Sequence, residues 1–219
     1  MKNIRAVLLS GGNIQSDFAL AFLQEQKYDK IIAVDKGLEF CHRHRILPHG
    51  IVGDFDSAPE GLLKEYENRP EILVRRLNPQ KDDSDTQSAF HLAVEMGAKE
   101  IGILGGTGTR LDHVLANLEL LSYGLSLGVH SYLVDAHNYI WAADRPVTLR
   151  RERQWGKYVS MFALGEPVEG LTLRGFVYPL QNYRLTSRDC GLTVSNEIAE
   201  EEAVITFEKG CLLLVMSRN

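Results

Sequence analysis

Along the first two-thirds of the chain, short apolar runs alternate with stretches whose apolar residues recur every three or four positions. The runs at 5–9, 30–34, 50–52, 72–76, 100–104 and 131–134 read as strands. Between them, 17–26, 38–45, 60–67, 85–96 and 111–127 carry the helical period. In the last of these, Leu111, Val114, Leu115, Leu118, Leu121 and Leu125 fall at helical spacing, and this leucine-rich face is expected to be core. Strands alternating with helices imply βαβ units. The expected fold class is therefore α/β, with a mostly parallel sheet and helices on both faces.

Near residue 138 the helical period stops. Short β-like runs at 139–142, 147–149, 158–163, 171–173, 192–194, 203–207 and 212–216 take over. Turn residues separate them at Asp144-Arg145-Pro146, Gly165-Glu166-Pro167 and Glu208-Lys209-Gly210. Strands at this spacing predict a small antiparallel sandwich or barrel. The expected division is 1–140 and 141–219, with the boundary inside 138–148. The second part is short for a core of its own, so it is expected to pack against the first part, a second subunit, or both.

Composition narrows the class. A chain of 219 residues with 44% hydrophobic and 24% charged residues is ordinary for a globular protein. A net charge of −5 argues against general nucleic-acid binding, which favours a basic stripe. Three cysteines, Cys41, Cys190 and Cys211, show neither zinc spacing nor a disulfide framework, which suits a reducing cytosol. No apolar stretch approaches membrane-spanning length. The expectation is a cytoplasmic protein with no membrane partner.

The chemistry-bearing residues fall where ligands bind in open α/β sheets, beyond the carboxyl ends of strands. Ser10-Gly11-Gly12, Asp35-Lys36-Gly37 and Gly53-Asp54-Phe55-Asp56-Ser57 follow the first three strands, and Gly105-Gly106-Thr107-Gly108 follows the fifth. Lys81-Asp82-Asp83-Ser84-Asp85 lies between the fourth strand and its helix. Asp54 and Asp56 are two apart, so an extended chain would point them to opposite sides and a turn is needed, which Gly53 makes plausible. Ser84 or Asp83 is a natural helix cap, and acids there complement the helix dipole. Three acids and Lys81 exceed what a cap requires. Asp85 is therefore assigned to metal, Lys81 to phosphate, and Asp82 to a secondary metal role. The glycine-rich turn, with Gly106, Thr107 and Gly108, allows main-chain N–H groups to approach phosphate. It is neither a Walker loop nor a dinucleotide fingerprint. Arg110 supplies a cation and Asp112 a metal or water contact; His113 is expected to pack at the helix start. Hard oxygen ligands, few in number, suit Mg²⁺, which keeps the rest of its shell for water and phosphate oxygens. A Mg–nucleotide site follows. In the second part, Ser195 and Asn196 offer hydrogen bonds and Tyr178 a flat face.

Taken in order, Asp35, Gly53-Asp54-Phe55-Asp56-Ser57, Lys81-Asp82-Asp83-Ser84-Asp85, Gly105-Gly106-Thr107-Gly108-Thr109-Arg110-Leu111-Asp112-His113 and Ser195-Asn196-Glu197 resemble the thiamine pyrophosphokinase family. The resemblance spans nearly the whole chain. It implies an α/β nucleotide-binding catalytic domain, a β-sandwich domain for thiamine and dimerisation, and a homodimer with active sites at the subunit interface. It implies transfer of the pyrophosphoryl group of ATP to the hydroxyethyl oxygen of thiamine, giving thiamine diphosphate and AMP, with Mg²⁺ on Asp54, Asp56 and Asp85. Arg110 and Asp112 would sit at the phosphates with Asp35 close by; Ser195 and Asn196 would contact thiamine, with Tyr178 near it. Either Asp112 or Asp35 would take the hydroxyl proton. The chain departs from the family's usual Asp-Gly-Gly at Lys36, where a positive φ would cost a side chain about 1 kcal/mol or more. Two rival readings are a Mg–nucleotide phosphotransferase for another small alcohol and a non-catalytic nucleotide or thiamine sensor.

Overall fold

A computed structural model describes residues 3–55, 61–78, 83–108 and 110–219. The chain divides into two compact units, 1–120 with 128–136 and 121–127 with 137–219. In the first unit, β1 (Ile4–Leu9), α1 (Ser16–Gln26), β2 (Lys30–Val34), α2 (Gly37–Arg43), β3 (Gly50–Gly53), α3 (Leu62–Glu67), β4 (Leu73–Arg76), α4 (Asp85–Glu95), β5 (Ala98–Leu104), α5 (Leu111–Ser126) and β6 (His130–Val134) follow one another. Helix α5 runs on into the second unit. The strands lie in the order β6-β5-β1-β2-β3-β4, and every neighbouring pair is parallel. The chain builds outward from β1 to β4, then crosses back to lay β5 and β6 on the other side. The order therefore reverses between β1 and β5, which is where an open parallel sheet leaves a crevice at its carboxyl edge. Ala6, Val7, Leu8 and Leu9 are all buried, as expected for a central strand covered on both faces.

At the opposite edge of this sheet, Arg5 donates from Nη2 to Glu100 at 2.7 Å, and Tyr28 and Tyr132 share a hydrogen bond of 2.5 Å. Burial and the neighbouring phenol raise the Tyr132 hydroxyl far above the usual range, so it stays neutral.

The second unit continues with β7 (Asn138–Ala143), β8 (Val147–Arg150), a single 3₁₀ turn (Arg151–Arg153), β9 (Tyr158–Ala163), β10 (Val168–Arg174), β11 (Leu180–Leu185), β12 (Asn196–Glu197), β13 (Glu202–Thr206) and β14 (Leu212–Ser217). Its strands form two antiparallel arrays, β12-β9-β14-β7 and β11-β10-β13-β8. Alternate residues supply the core, with Val159, Met161, Leu212 and Leu214 from the first array and Leu171, Leu173, Ala203 and Ile205 from the second. The α/β unit followed by antiparallel sheets is the expected fold class.

Two expectations are corrected, and one strand went unforeseen. The leucine face of α5 is only partly core: the helix turns Asn117 and Leu120 inward, while Leu111 and Leu115 are 73% and 63% exposed. The apolar stripe is wider than the face that the fold buries. The run at 192–194 is a turn, not a strand. Its leucine and valine face out, and buried Thr193 donates its hydroxyl to the Met161 carbonyl while accepting from Met161 N at 3.0 Å. Strand β11 escaped the apolar pattern because Gln181, Asn182 and Arg184 are exposed on an edge strand.

This geometry makes Thr193 the stabilising residue of its segment. Thr193→Val, which removes the buried donor at similar volume, is expected to lower the urea midpoint by an amount worth about 1–2 kcal/mol. Leu192→Ser should cost less than about 0.5 kcal/mol. The reverse ranking would mean that the leucine, not the threonine, is the inward residue.

Candidate active site

The carboxyl edge of the parallel sheet is assembled by main-chain contacts. Ser10 N donates to Leu104 O at 2.8 Å and Gly12 N to Gly105 O at 3.1 Å, tying the β1–α1 turn to the β5–α5 turn. A Cβ at Gly12 would overlap the Gly105 carbonyl oxygen, so no other residue permits this approach. Beyond β2, Asp35 adopts a left-handed conformation (φ 47°) and its carbonyl accepts from Leu38 N at 3.0 Å, opening α2. A side chain forced into that region marks strain held by its surroundings, a common feature of functional loops. Lys36 itself is right-handed (φ −61°, ψ −14°), so the strain anticipated at Lys36 falls on Asp35.

Gly53 has a different part from the one its sequence suggested. A Cβ there would overlap Asp35 Oδ1, so the glycine makes room for that carboxylate. The left-handed residue that turns the chain after β3 is Phe55 (φ 59°). At the start of α4, Ser84 is the cap, accepting from Gln87 N at 3.2 Å, and Asp85 follows it in the first turn.

These loops enclose a cavity of about 410 Å³. Asp35, Asp54, Asp85, Gly106, Gly108 and Arg110 line it, as do Lys36 and His113. Thr107 turns its hydroxyl to Asp135 Oδ2 at 2.6 Å instead. Asp112 is exposed and paired with Arg110 at 2.5 Å. That guanidinium holds the Asp112 carboxyl below the usual range, which makes it a weak base near neutral pH. Asp56, Lys81 and Asp82 lie outside the described residues. Tyr178, Ser195 and Asn196 belong to the second unit. Tyr178 and Ser195 are exposed, and Asn196 is buried.

Two polar residues, Asn117 and Thr86, escaped the sequence reading, and Ser10 entered it only as the first residue of the turn after β1. Asn117 Nδ2 donates to Gly106 O at 2.9 Å and pins the glycine turn from α5. Ser10 and Thr86 share a buried hydroxyl contact of 3.2 Å on the cavity wall. The signal for Asn117 was available: an amide set among Val114, Leu118 and Leu121 must have a partner if it is buried.

The donor set is chemically uniform. Asp35, Asp54 and Asp85 offer hard oxygens, beside glycine turns with accessible main chain. Among the described residues no group of three histidine, cysteine, aspartate or glutamate side chains forms a cage for a metal. Mg²⁺ does not need one, because one or two carboxylates and substrate phosphates complete its shell. The residues fit a Mg–polyphosphate.

Comparison with known proteins bears on the family of the chain. Residues 23–133 match the family model for the thiamin pyrophosphokinase catalytic domain, and residues 146–212 match that for its vitamin B1 binding domain. Thiamine pyrophosphokinase of Bacillus subtilis (strain 168) is 34% identical over 189 residues, covering 86% of this chain and 87% of that protein. A crystal structure of thiamine pyrophosphokinase from Bacillus subtilis superposes with a TM-score of 0.84 at 29% identity, covering 98% of this chain and 99% of the other. Thiamin pyrophosphokinase from Candida albicans shares the fold, with a TM-score of 0.81 at 15% identity over 98% of this chain and 89% of its own. By both domain matches and by identity over most of its length, the chain belongs to the thiamin pyrophosphokinase family.

Proposed function

We propose that this enzyme is a Mg²⁺-dependent thiamine pyrophosphokinase that transfers the pyrophosphoryl group of ATP to thiamine. The observation that carries the reading is the cavity at the strand-order reversal, where Asp35, Asp54 and Asp85 converge with the glycine turns, Lys36 and Arg110. The family membership supplies the acceptor.

In the proposed reaction the hydroxyethyl oxygen of thiamine attacks the β-phosphorus of ATP in line. The bond from the β-phosphorus to the bridging oxygen breaks, and AMP leaves with that oxygen. Little covalent work falls to the protein, so catalysis is positioning and charge neutralisation. Asp54 and Asp85, with Asp56 by resemblance, would hold Mg²⁺, which when bound offsets charge on the phosphate oxygens. Arg110 and Lys36 do the same from the cavity wall, and Lys81 joins them by resemblance. The main-chain N–H groups of the Gly106–Gly108 turn cradle the phosphates, with the turn fixed by Asn117. The hydroxyl proton passes to Asp35 or Asp112, and the latter has to leave its Arg110 partner to act as a base.

We further propose that the enzyme works as a cytoplasmic homodimer with active sites at the subunit interface. Exposed Leu111 and Leu115, in the first two turns of the helix after Arg110, support a partner subunit at this face.

Turnover with ATP and Mg²⁺ is expected to release AMP only when thiamine is present, with thiamine diphosphate as the second product by mass. ADP and thiamine monophosphate would move attack to the γ-phosphorus; no thiamine-dependent product would remove the acceptor. Asp54→Asn and Asp85→Asn should each lower kcat at least about 100-fold while the melting temperature stays near that of the parent. Near-normal turnover in either variant would take that residue out of the metal site. By sedimentation velocity the protein should run at the mass of two chains, and Leu111→Asp with Leu115→Asp should run at one; a single-chain mass for the parent would refute the dimer.

A further inference from the structure

The resemblance assigns Asn196 to direct contact with thiamine, but its surroundings in this chain fit a different task. Asn196 opens β12 and is 2% exposed. Its Oδ1 accepts from Tyr178 N at 3.0 Å and from Glu197 N at 2.9 Å. Its Nδ2 donates to Tyr178 O at 2.8 Å. The amide therefore closes a two-bond ring on the main chain of Tyr178, as a neighbouring strand would. A carboxamide has two donor hydrogens and two acceptor lone pairs, so three of its four capacities are spent on the protein. The fourth is buried with the rest of the side chain.

The need for such a bracket follows from the local chain. Residues 176–178 run alongside 196–198, with a bridge between Phe176 and Ile198 and a bond from Val177 N to Glu197 O at 2.9 Å. The main-chain ladder makes its last bond at Val177: alternation turns the Tyr178 N–H away from the partner main chain, and beyond it Ser195 is left-handed (φ 57°) and sends its N–H to Ser160 Oγ at 3.0 Å. The Asn196 side chain continues the ladder over that gap. Pro179 follows directly and restricts Tyr178 to extended conformations. The outcome is a tyrosine whose main chain is fixed at both N–H and C=O although the residue is 62% exposed. A large ring held out from a rigid main chain loses little entropy when a flat ligand covers it.

We infer that Asn196 is a positioning residue that serves thiamine through the Tyr178 ring and does not touch the substrate. This rests on the thiamine reading above. Thiamine carries an aromatic pyrimidine and a cationic thiazolium, and both suit the face of a tyrosine. Ser195, exposed beside it, keeps its hydroxyl for a direct polar contact.

A double-mutant cycle separates the two roles. Asn196→Ala and Tyr178→Ala should each raise the thiamine KM about 3- to 10-fold, the size of one aromatic contact, with the ATP KM and kcat little changed. The double variant should be no worse than Tyr178→Ala alone. Additive losses would show that Asn196 contacts thiamine itself, and a neutral Asn196→Ala would overturn the inference. A fall in kcat and in both KM-based affinities together, with a lowered melting temperature, would reduce Asn196 to a structural residue. Amide exchange in the unliganded protein reads the bracket without substrate: protection at Tyr178 N–H should fall in Asn196→Ala and persist in Tyr178→Phe. Unchanged protection in Asn196→Ala overturns the inference whatever the acceptor. Failure of the thiamine reading is distinct, since it appears in the parental enzyme as the absence of thiamine-dependent product.

Discussion

The approach of the β1–α1 turn to the β5–α5 turn is the contact on which the site depends. Parallel strands deliver their loops to one edge of the sheet, but a reversal in strand order leaves the two central loops free to spread apart. Here they are tied by Ser10 N to Leu104 O and Gly12 N to Gly105 O, and a side chain at Gly12 would force them apart. Once that seam is closed, the neighbouring loops bring Asp35, Asp54 and Asp85 to the same cavity. Asn117 then fixes the glycine turn from the helix behind it. The same seam supplies both the proposed phosphate cradle and the convergence of acids.

Carboxylates gathered in one cavity repel one another unless cations answer them. Lys36 and Arg110 line the same space, and Arg110 is engaged by Asp112. A polyphosphate brought in with its own divalent cation fits this balance: the acids meet the metal, and the basic side chains meet the phosphate. That division accounts for a cavity that holds both signs of charge, with Val34 and Val114 as its aliphatic lining. The second unit is built on the opposite logic. There, a buried amide holds a large exposed ring, as suits a flat organic acceptor.

Much of this was legible in the sequence because loop chemistry and strand ends coincide in a parallel sheet. Asp35, Asp54, Asp85 and Arg110 could be brought together from their positions after successive strands. What stayed hidden was set by packing. Ser10, Thr86 and Asn117 are short polar residues whose meaning appears only when burial forces them to find partners. Gly53 looked like a turn residue, but it makes space for Asp35, while the turn falls on Phe55, a residue type that gives no such signal. Leu-Thr-Val at 192–194 has the composition of a strand, yet its threonine is the inward residue, an inversion that alternation alone does not resolve. The width of the apolar stripe on α5 misled in the same way, since periodicity gives the stripe and not which part of it is covered.

The measurement that bears most directly on the central proposal is calorimetric titration of a non-hydrolysable ATP analogue into the thiamine-free protein, with Mg²⁺ and with EDTA. The account predicts one site per chain that needs the divalent cation and is lost in the Asp54→Asn, Asp85→Asn double variant without loss of fold. Binding that is equally tight in EDTA, or that survives in the double variant, would contradict a Mg–polyphosphate site at this edge of the sheet.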